Sequence, residues 1–515
     1  MVFSIRLFAI MIAVALSLNS LGRLRGQELV RLPLEEQEID RGVRQASTIE
    51  ESPVVGEPSL EELLARLRET EARLAAIEQQ GAVPTRDESS DASEFVNTTE
   101  NLDALGMSLA PAASSGSTSS SSKSKKWYEK YTIRGYAQFR FNEVLQEQPG
   151  SAAAMHNGDS SVGENQSFII RRARLILSGD VNDHIGIYLQ PDFASTPNGS
   201  VDAIQFAQIR DWYADIHLDK EKVYRFRVGQ SKVPYGWENL QSSSNRLPLD
   251  RNDAFNSAVR NERDLGAFFY WTPEYAQETF KYIMDEGLKG SGNYGVFGVG
   301  VYNGQGGSFR EVNDDLHIVS RLTLPITWEN GQITEFGVQG YTGMYGVYSS
   351  TISPLGVGPA VRPLGTIETG TNGIIDKRVG ATFVYYPQPL GIQAEWTVGR
   401  GPALNEAQTE VIDRPLYGGY VQTMYRYEST CNGEFWPFLR WNYFEGGYKS
   451  ERNAPYSKID ELELGLEWQI SKYFEIVGCW TLTDRTNTRA ISTANTLSYE
   501  QFEGQIARFQ LQVNY

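Results

Sequence analysis

The sequence is poor in the residues that build metal and disulfide scaffolds. Two cysteines among 515 residues exclude a disulfide framework and a structural zinc site of four Cys. Four histidines, His156, His184, His217 and His317, are scattered without ligand spacing, so neither metal nor cofactor is expected. Apolar residues make up 40% and mean hydropathy is −0.39, below what a multi-span helical membrane protein needs. Positive charge is also scarce: 47 Lys and Arg face 64 Asp and Glu, a net −17, which disfavours nucleic acid as a partner. No nucleophile and base stand at a recognisable motif spacing. His217 with Asp215 on one strand face is the nearest approach to a dyad, so no enzyme is expected.

The N-terminus has the form of an export signal. Arg6 precedes an apolar run from Leu7 to Leu18 that is too short to span a membrane, and Ser20, Gly22 and Gly26 offer cleavage points, giving a signal peptide at 1–26. Residues 27–58 are acidic, aperiodic and flexible by composition. From 59 to 80, Leu60, Leu67 and Leu74 recur with Leu63, Thr70 and Ile77 as the a and d seam of three heptads. Arg66 and Arg73 at g can face Glu71 and Glu78 at e of a parallel neighbour, which favours an oligomer over a lone amphipathic helix. Residues 81–126 end in APAASSGSTSSSSKSKK, a Ser-rich linker.

At Trp127 the pattern becomes aromatic and alternating and stays so to Tyr515. The 27 Tyr, 23 Phe, 10 Trp and 48 Gly suit aromatic strands joined by Gly turns. Phe509, Leu511, Val513 and Tyr515 alternate with Arg508, Gln510, Gln512 and Asn514. Leu462, Leu464, Leu466, Trp468 and Ile470 alternate with Glu461, Glu463, Gly465, Glu467 and Gln469, so three carboxylates share a face that needs water. Alternation fits both a soluble sandwich and a membrane barrel; connection lengths favour the barrel. Long segments at 145–166, 235–263, 346–375 and 485–503 follow odd-numbered strands. Short ones at 181–183, 219–222, 387–389 and 471–472 follow even-numbered strands. The fold class expected is all-β: a transmembrane antiparallel β-barrel of about sixteen strands over 127–515, preceded by a short periplasmic coiled coil. The segment 273–292 is long where a turn is expected and leaves room for an extra hairpin. An even strand count puts both ends of the barrel, and the segments before it, in the periplasm. Trp212, Tyr224, Trp271, Trp396, Tyr425, Trp441, Trp468, Trp480 and Tyr515 have outward parity and would anchor in outer-membrane lipid. Cys431 and Cys479 are too far apart along the strands to bridge.

Six segments, RRARLILSGDV at 171–181, LQPDFA at 189–194, RDWYADI at 210–216, RVGQSKVPYGWENL at 227–240, ERDLG at 262–266 and VYNGQG at 301–306, together resemble the phosphate-selective porin O and P family. The resemblance extends over roughly 130–515. It implies a homotrimeric outer-membrane porin of sixteen strands for passive diffusion of small hydrophilic solutes and anions such as phosphate, with loops folded into the lumen and arginines along the path.

Strand parity turns Arg134, Arg140, Arg172, Arg174, Arg225, Arg227, Arg321, Arg378, Arg426, Arg440 and Arg508 inward, and a row of guanidiniums can pass a phosphate along by bidentate contacts. The same parity turns Asp192, Asp211, Asp215, Glu395, Glu461, Glu463, Glu467 and Glu475 inward, where paired charges would merely stitch the wall. From Trp127 onward 34 Lys and Arg stand against 45 Asp and Glu, so bulk charge leaves the sign of selectivity open. Lys232 is either a solute contact or an exposed lysine at the rim. The family loop corresponding to 235–263 enters the pore, which makes Arg246, Asp250, Arg251, Arg260 and Arg263 constriction candidates; Arg263 and Asp264 also read as a turn-stabilising pair. The second functional reading is an anchor that tethers the outer membrane to another envelope layer through the N-terminal coiled coil.

Overall fold

The computed structural model describes residues 127–515 except 155, 160, 164–166, 195–206, 310, 348–372, 406–409, 450, 452 and 492–495. The expected signal, acidic segment, coiled coil and Ser-rich linker lie outside the described residues. After a short 3-10 turn at Trp127–Lys130, the strands are β1 (Tyr131–Glu147), β2 (Ser167–Asn182), β3 (Ile185–Asp192), β4 (Gln208–His217), β5 (Tyr224–Lys232), β6 (Arg263–Trp271), β7 (Phe297–Tyr302), β8 (His317–Thr327) and β9 (Ile333–Tyr345). They continue with β10 (Ile374–Tyr385), β11 (Leu390–Leu404), β12 (Val411–Tyr425), β13 (Tyr427–Ser429), β14 (Gly433–Gly447), β15 (Tyr456–Ser471), β16 (Phe474–Ile491) and β17 (Thr496–Asn514).

The strands pair antiparallel with their sequence neighbours, and β1 pairs with both β2 and β17, so the sheet closes on itself. β12 and β13 are one strand interrupted at Arg426, since both pair with β14; the wall therefore counts sixteen strands, as the alternation predicts. Closure satisfies the backbone groups that an open sheet would expose to lipid.

The barrel is apolar outside and charged inside. On β10, Val379 is 63% exposed whereas its neighbour Arg378 is 1% exposed. Arg440, Arg485 and Arg508 are wholly buried, while Leu322, Val338, Val398 and Leu439 face outward. A soluble sandwich would reverse this assignment. The outward aromatics behave as the parity predicts: Trp212, Tyr224, Trp271, Trp396, Tyr425, Trp441 and Tyr515 are exposed, and Trp468 and Trp480 are half-buried. Among the described residues no helix is long and apolar enough to cross a membrane; strands do the crossing.

The segment 273–292 holds a helix, α1 (Glu274–Asp285), rather than an extra hairpin. Ala276, Phe280 and Ile283, four and three residues apart, bury one helical stripe against Leu288, Val296, Ile333, Val384 and Tyr386. Cys431 is exposed, Cys479 is buried, and both are free.

Candidate functional site

The loop 233–262 between β5 and β6 turns into the barrel and is anchored there by residues distant in sequence. Its backbone N–H groups at Trp237 and Glu238 donate to the Glu395 carboxylate at 2.6 and 2.8 Å. Glu238 accepts both terminal nitrogens of Arg440 at 2.8 and 3.0 Å and the Asn252 N–H at 2.8 Å. Asp253 accepts from Arg485 at 3.1 Å, and Arg378 donates to Ala254 O and Ser257 Oγ at 2.8 Å. Asp250 accepts from Arg140 at 2.9 Å and from Arg508; Arg140 and Arg508 also hold Asp159 of the 148–166 loop at 2.7 Å. Val233, Tyr235, Ala254, Phe255, Ala258 and Val259 of the 233–262 loop pack against Phe268, Tyr302, Tyr341, Leu416 and Phe444 of the wall. An apolar core thus sits inside the lumen.

Charge states in these loops follow from their partners. Burial opposes ionisation of Asp250, but Arg140 and Arg508 hold its carboxyl well below the usual carboxylate range. Asp159 is buried too, and its arginines hold it low in the same way. Burial likewise works against Glu262, and Arg251 and Arg263 outweigh it, lowering its carboxyl. Asp253 and Glu451 behave oppositely: burial pushes Asp253 up to about 6, and burial together with the Asp253 charge pushes Glu451 up to about 7.

Most of the expected path arginines turn out to be paired. Arg174 meets Asp192 at 2.8 Å, Arg227 takes Asp215 in two bonds of 2.8 Å, and Arg321 meets Glu335 at 3.2 Å. Arg225 lies 3.6 Å from Asp215. Lys232 is not an exposed rim lysine: it is buried and donates to Leu240 O and Gln241 O, because the loop folds back over it. In the loop, Arg246 donates to Pro248 O and Leu249 O, Arg251 pairs with Glu262 at 2.9 Å, and Arg260 stacks over Phe309 at 4.2 Å. Arg263 pairs with Asp211 and Glu262, while Asp264 accepts the N–H groups of Leu265, Gly304 and Gly306. Each therefore holds a turn, through different partners.

Two β-bulges place arginines that strict alternation misses. Between β1 and β2, Gln138 pairs with Arg172 and Phe139 with Ile170, which leaves Arg171 as the extra residue. Between β3 and β4, Gln190 pairs with Asp211 and Pro191 with Ile209, which leaves Arg210. A bulge re-aims a side chain, and here both extra arginines turn inward, each 8% exposed. They line one cavity with Arg172, Arg174, Arg251, Asp192, Asp250 and Glu262. The acids there are each held by closer contacts to other arginines, Asp192 by Arg174, Asp250 by Arg140 and Arg508, Glu262 by Arg251 and Arg263. Among the described residues Arg172 makes one side-chain bond, to the neutral Gln138 at 2.7 Å. Arg171 approaches its carboxylates only to 3.6 and 3.9 Å, and Arg210 approaches Glu262 to 3.7 Å. Among the described residues the Nε atoms of Arg171 and Arg210 are buried without a hydrogen-bond partner. Three under-neutralised guanidiniums thus converge on one point, where a buried cation is costly without an anion. The visible signal was the pair Arg171–Arg172 in the middle of an alternating strand.

Below this cavity a continuous row of inward-facing side chains on β1–β5, Arg134, Ser178, Asp180, Tyr188, Tyr213, Asp215 and Arg225, keeps part of its surface, whereas on the later strands those that do, Arg426, Glu434, Gln469 and Asn514, sit at the strand ends. The lumen faces of β8, β10 and β12 are packed shut. Water is therefore left along one wall of the barrel.

A closed antiparallel barrel with an apolar outer band, a charged interior and an infolded loop is the architecture of an outer-membrane porin, a channel rather than an enzyme. The chain belongs to the phosphate-selective porin O and P family, whose profile matches residues 148–515. Among solved structures it is similar to OmpT, an outer-membrane protein of Vibrio cholerae, with 8% identity over 75% of this chain and 96% of that one and a TM-score of 0.44. OmpF of Salmonella typhi, solved with daunomycin, gives 11% over 75% and 97% with a TM-score of 0.45. An anion-selective porin from Comamonas acidovorans gives 12% over 75% and 99% with a TM-score of 0.40. No curated protein matches the chain.

Proposed function

We propose that the channel passes small hydrophilic solutes passively and prefers anions, phosphate among them. The observation that carries this reading is the convergence of Arg171, Arg172 and Arg210, brought together by two bulges and met by carboxylates only at 3.6–3.9 Å. Guanidiniums match phosphate oxygens bidentately, and a low-dielectric wall strengthens their field at a constriction. The ion pairs of Arg140, Arg440, Arg485 and Arg508 serve the loop rather than the solute. The assembly is a homotrimer with 1–26 removed on export, and 27–58, the coiled coil 59–80 and the linker 81–126 stand in the periplasm. The heptads that a tether would use lie outside the described residues, and no observation favours that reading.

The test is the reversal potential of the purified full chain in a planar bilayer under a KCl gradient, with and without inorganic phosphate. Chloride-selective steps blocked by phosphate, with the block weakened about ten-fold in Arg171→Ala and Arg172→Ala, are expected from losing one charge-assisted contact of about 1.5 kcal/mol. Cation-selective steps, or an unchanged block in both variants, would remove the anion reading and leave a general porin.

A further inference from the structure

A water-filled barrel interior is ordinarily polar, yet the open wall of this one carries a row of phenols. Tyr188 on β3 and Tyr213 on β4 are directly paired across the strands and stack at 5.1 Å with an interplanar angle of 8°. Arg227 lies over the far face of this stack, 3.8 Å from the Tyr213 ring centre, and is fixed there by Asp215. Tyr270 and Tyr294 flank the same guanidinium at 5.7 and 5.6 Å. Tyr213 is therefore enclosed between a ring and a cation, and Tyr188 is the end of the stack. Its hydroxyl is held by Gln190 at 3.0 Å, and the ring makes no further stacking contact among the described residues, while remaining half-buried in the open lumen. On β1, one strand beyond β2, Arg134 pairs with Ile176, two residues along β2 from Ser178, the partner of Tyr188; it is half-exposed, faces inward, and has neither hydrogen bond nor ion pair among the described residues, and its charge acts on the Tyr188 phenol. A presented ring face thus stands beside an unclaimed guanidinium. Tyr188 is four residues nearer the periplasm than Asp192 of the arginine cavity, about 13 Å along the strand. The two lie in sequence on the same wall.

We propose that Tyr188 and Arg134 form a second station of the path, selecting small anions that carry a planar ring next to the acid group. The acid meets Arg134 while the ring stacks on the free face of Tyr188, which Tyr213 and Arg227 hold in place from behind. This station deepens the anion reading and rests on it. Ring stacking of this kind favours the aryl anion over an alkyl anion of equal charge by about five-fold.

The probes are inorganic phosphate, methyl phosphate and phenyl phosphate, titrated against the chloride current of the full-length protein in a planar bilayer. The readout is the ratio of half-blocking concentrations for methyl and phenyl phosphate. The wild-type ratio is expected near five; it should fall to about one in Tyr188→Ala and return in Tyr188→Phe, which keeps the ring. Arg134→Gln should weaken phenyl phosphate more than inorganic phosphate. Each variant is first checked as a heat-modifiable barrel, and a Tyr188→Ala protein that misassembles is replaced by Tyr188→Leu, with the same expected ratio. A wild-type ratio of one with phosphate block intact overturns the ring station and leaves the arginine cavity standing. A ratio that survives both Tyr188 variants overturns the residue assignment. No block by any of the three probes overturns the anion reading and this station together.

Discussion

Replacing Glu238 by glutamine removes the charge that fastens the infolded loop to the far wall. Glu238 and Arg440 are both buried, and their two bonds of 2.8 and 3.0 Å join residues 202 positions apart. Glutamine can still accept from the Asn252 N–H and from one guanidinium nitrogen, but the Arg440 charge is then left with the Asp250 carbonyl at 3.2 Å, Glu463 at 3.8 Å and the Tyr420 ring at 4.4 Å. Removing one partner of a buried pair costs about 3–5 kcal/mol, or roughly two to three and a half powers of ten in the loop's open population. The barrel itself should survive, because its ladder closes through β1 and β17 without the loop. The loop should also stay mostly closed, because Asp250, Asp253 and Glu395 still anchor it. Hydrogen exchange at the amides of Trp237 and Glu238, which donate to Glu395, should accelerate by that factor, and single-channel traces should show brief steps to higher conductance. Unchanged exchange and unchanged conductance in a correctly assembled Glu238→Gln protein would refute the pinned-loop account.

Four further outcomes follow from the geometry. Val379→Arg puts a charge on a strand position 63% exposed to the outside and should lower barrel stability by about 2–4 kcal/mol in lipid refolding titrations; no loss would mean that this face does not meet hydrocarbon. Glu451 is raised from 4.5 to about 7, so its stabilising contribution is full below pH 4.5 and disappears as pH rises through 7; the thermal midpoint should climb from pH 8 to pH 5, less so in Glu451→Gln. Asp250 and Asp159 have the opposite sign, being held well below 3.8: their contribution is full above about 3.8 and fades only as pH falls far below that, so conductance should hold steady down to about pH 4 in wild type. Gly304 has φ +92 and donates to Asp264, and a Cβ there would meet the His317 ring at 2.0 Å; Gly304→Ala should destabilise the barrel by more than 1 kcal/mol in the same titrations.

Strands were legible because a barrel wall must alternate with period two, and Leu462 to Ile470 against Glu461 to Gln469 shows this without any contact information. The strand count was legible from the alternation of short and long connections. The helix Glu274–Asp285 carried its own signal in Ala276, Phe280 and Ile283, but a reading tuned to strands passes over one helical stripe. Arg171 and Arg210 were missed because parity assumes an unbroken register, and each bulge shifts it by one. The pairings of Arg440 with Glu238 and Arg485 with Asp253 join residues more than two hundred positions apart. Nothing in one sequence couples them until the loop's path is known. Lys232 was misread for the same reason, since its partners are carbonyls of a loop that folds back over it.

The proposed path runs along the wall made by β1–β5 and bypasses the inward residues sealed under the infolded loop. Thiol accessibility tests it most directly, in a Cys431→Ser background that removes the exposed native thiol. Ser178→Cys lies on the open wall and Thr397→Cys lies buried under Tyr235 of the loop. A small anionic methanethiosulfonate reagent should label Ser178→Cys and cut its current, and leave Thr397→Cys unlabelled. Labelling and block at Thr397→Cys with none at Ser178→Cys would place the path on the opposite wall and contradict the account.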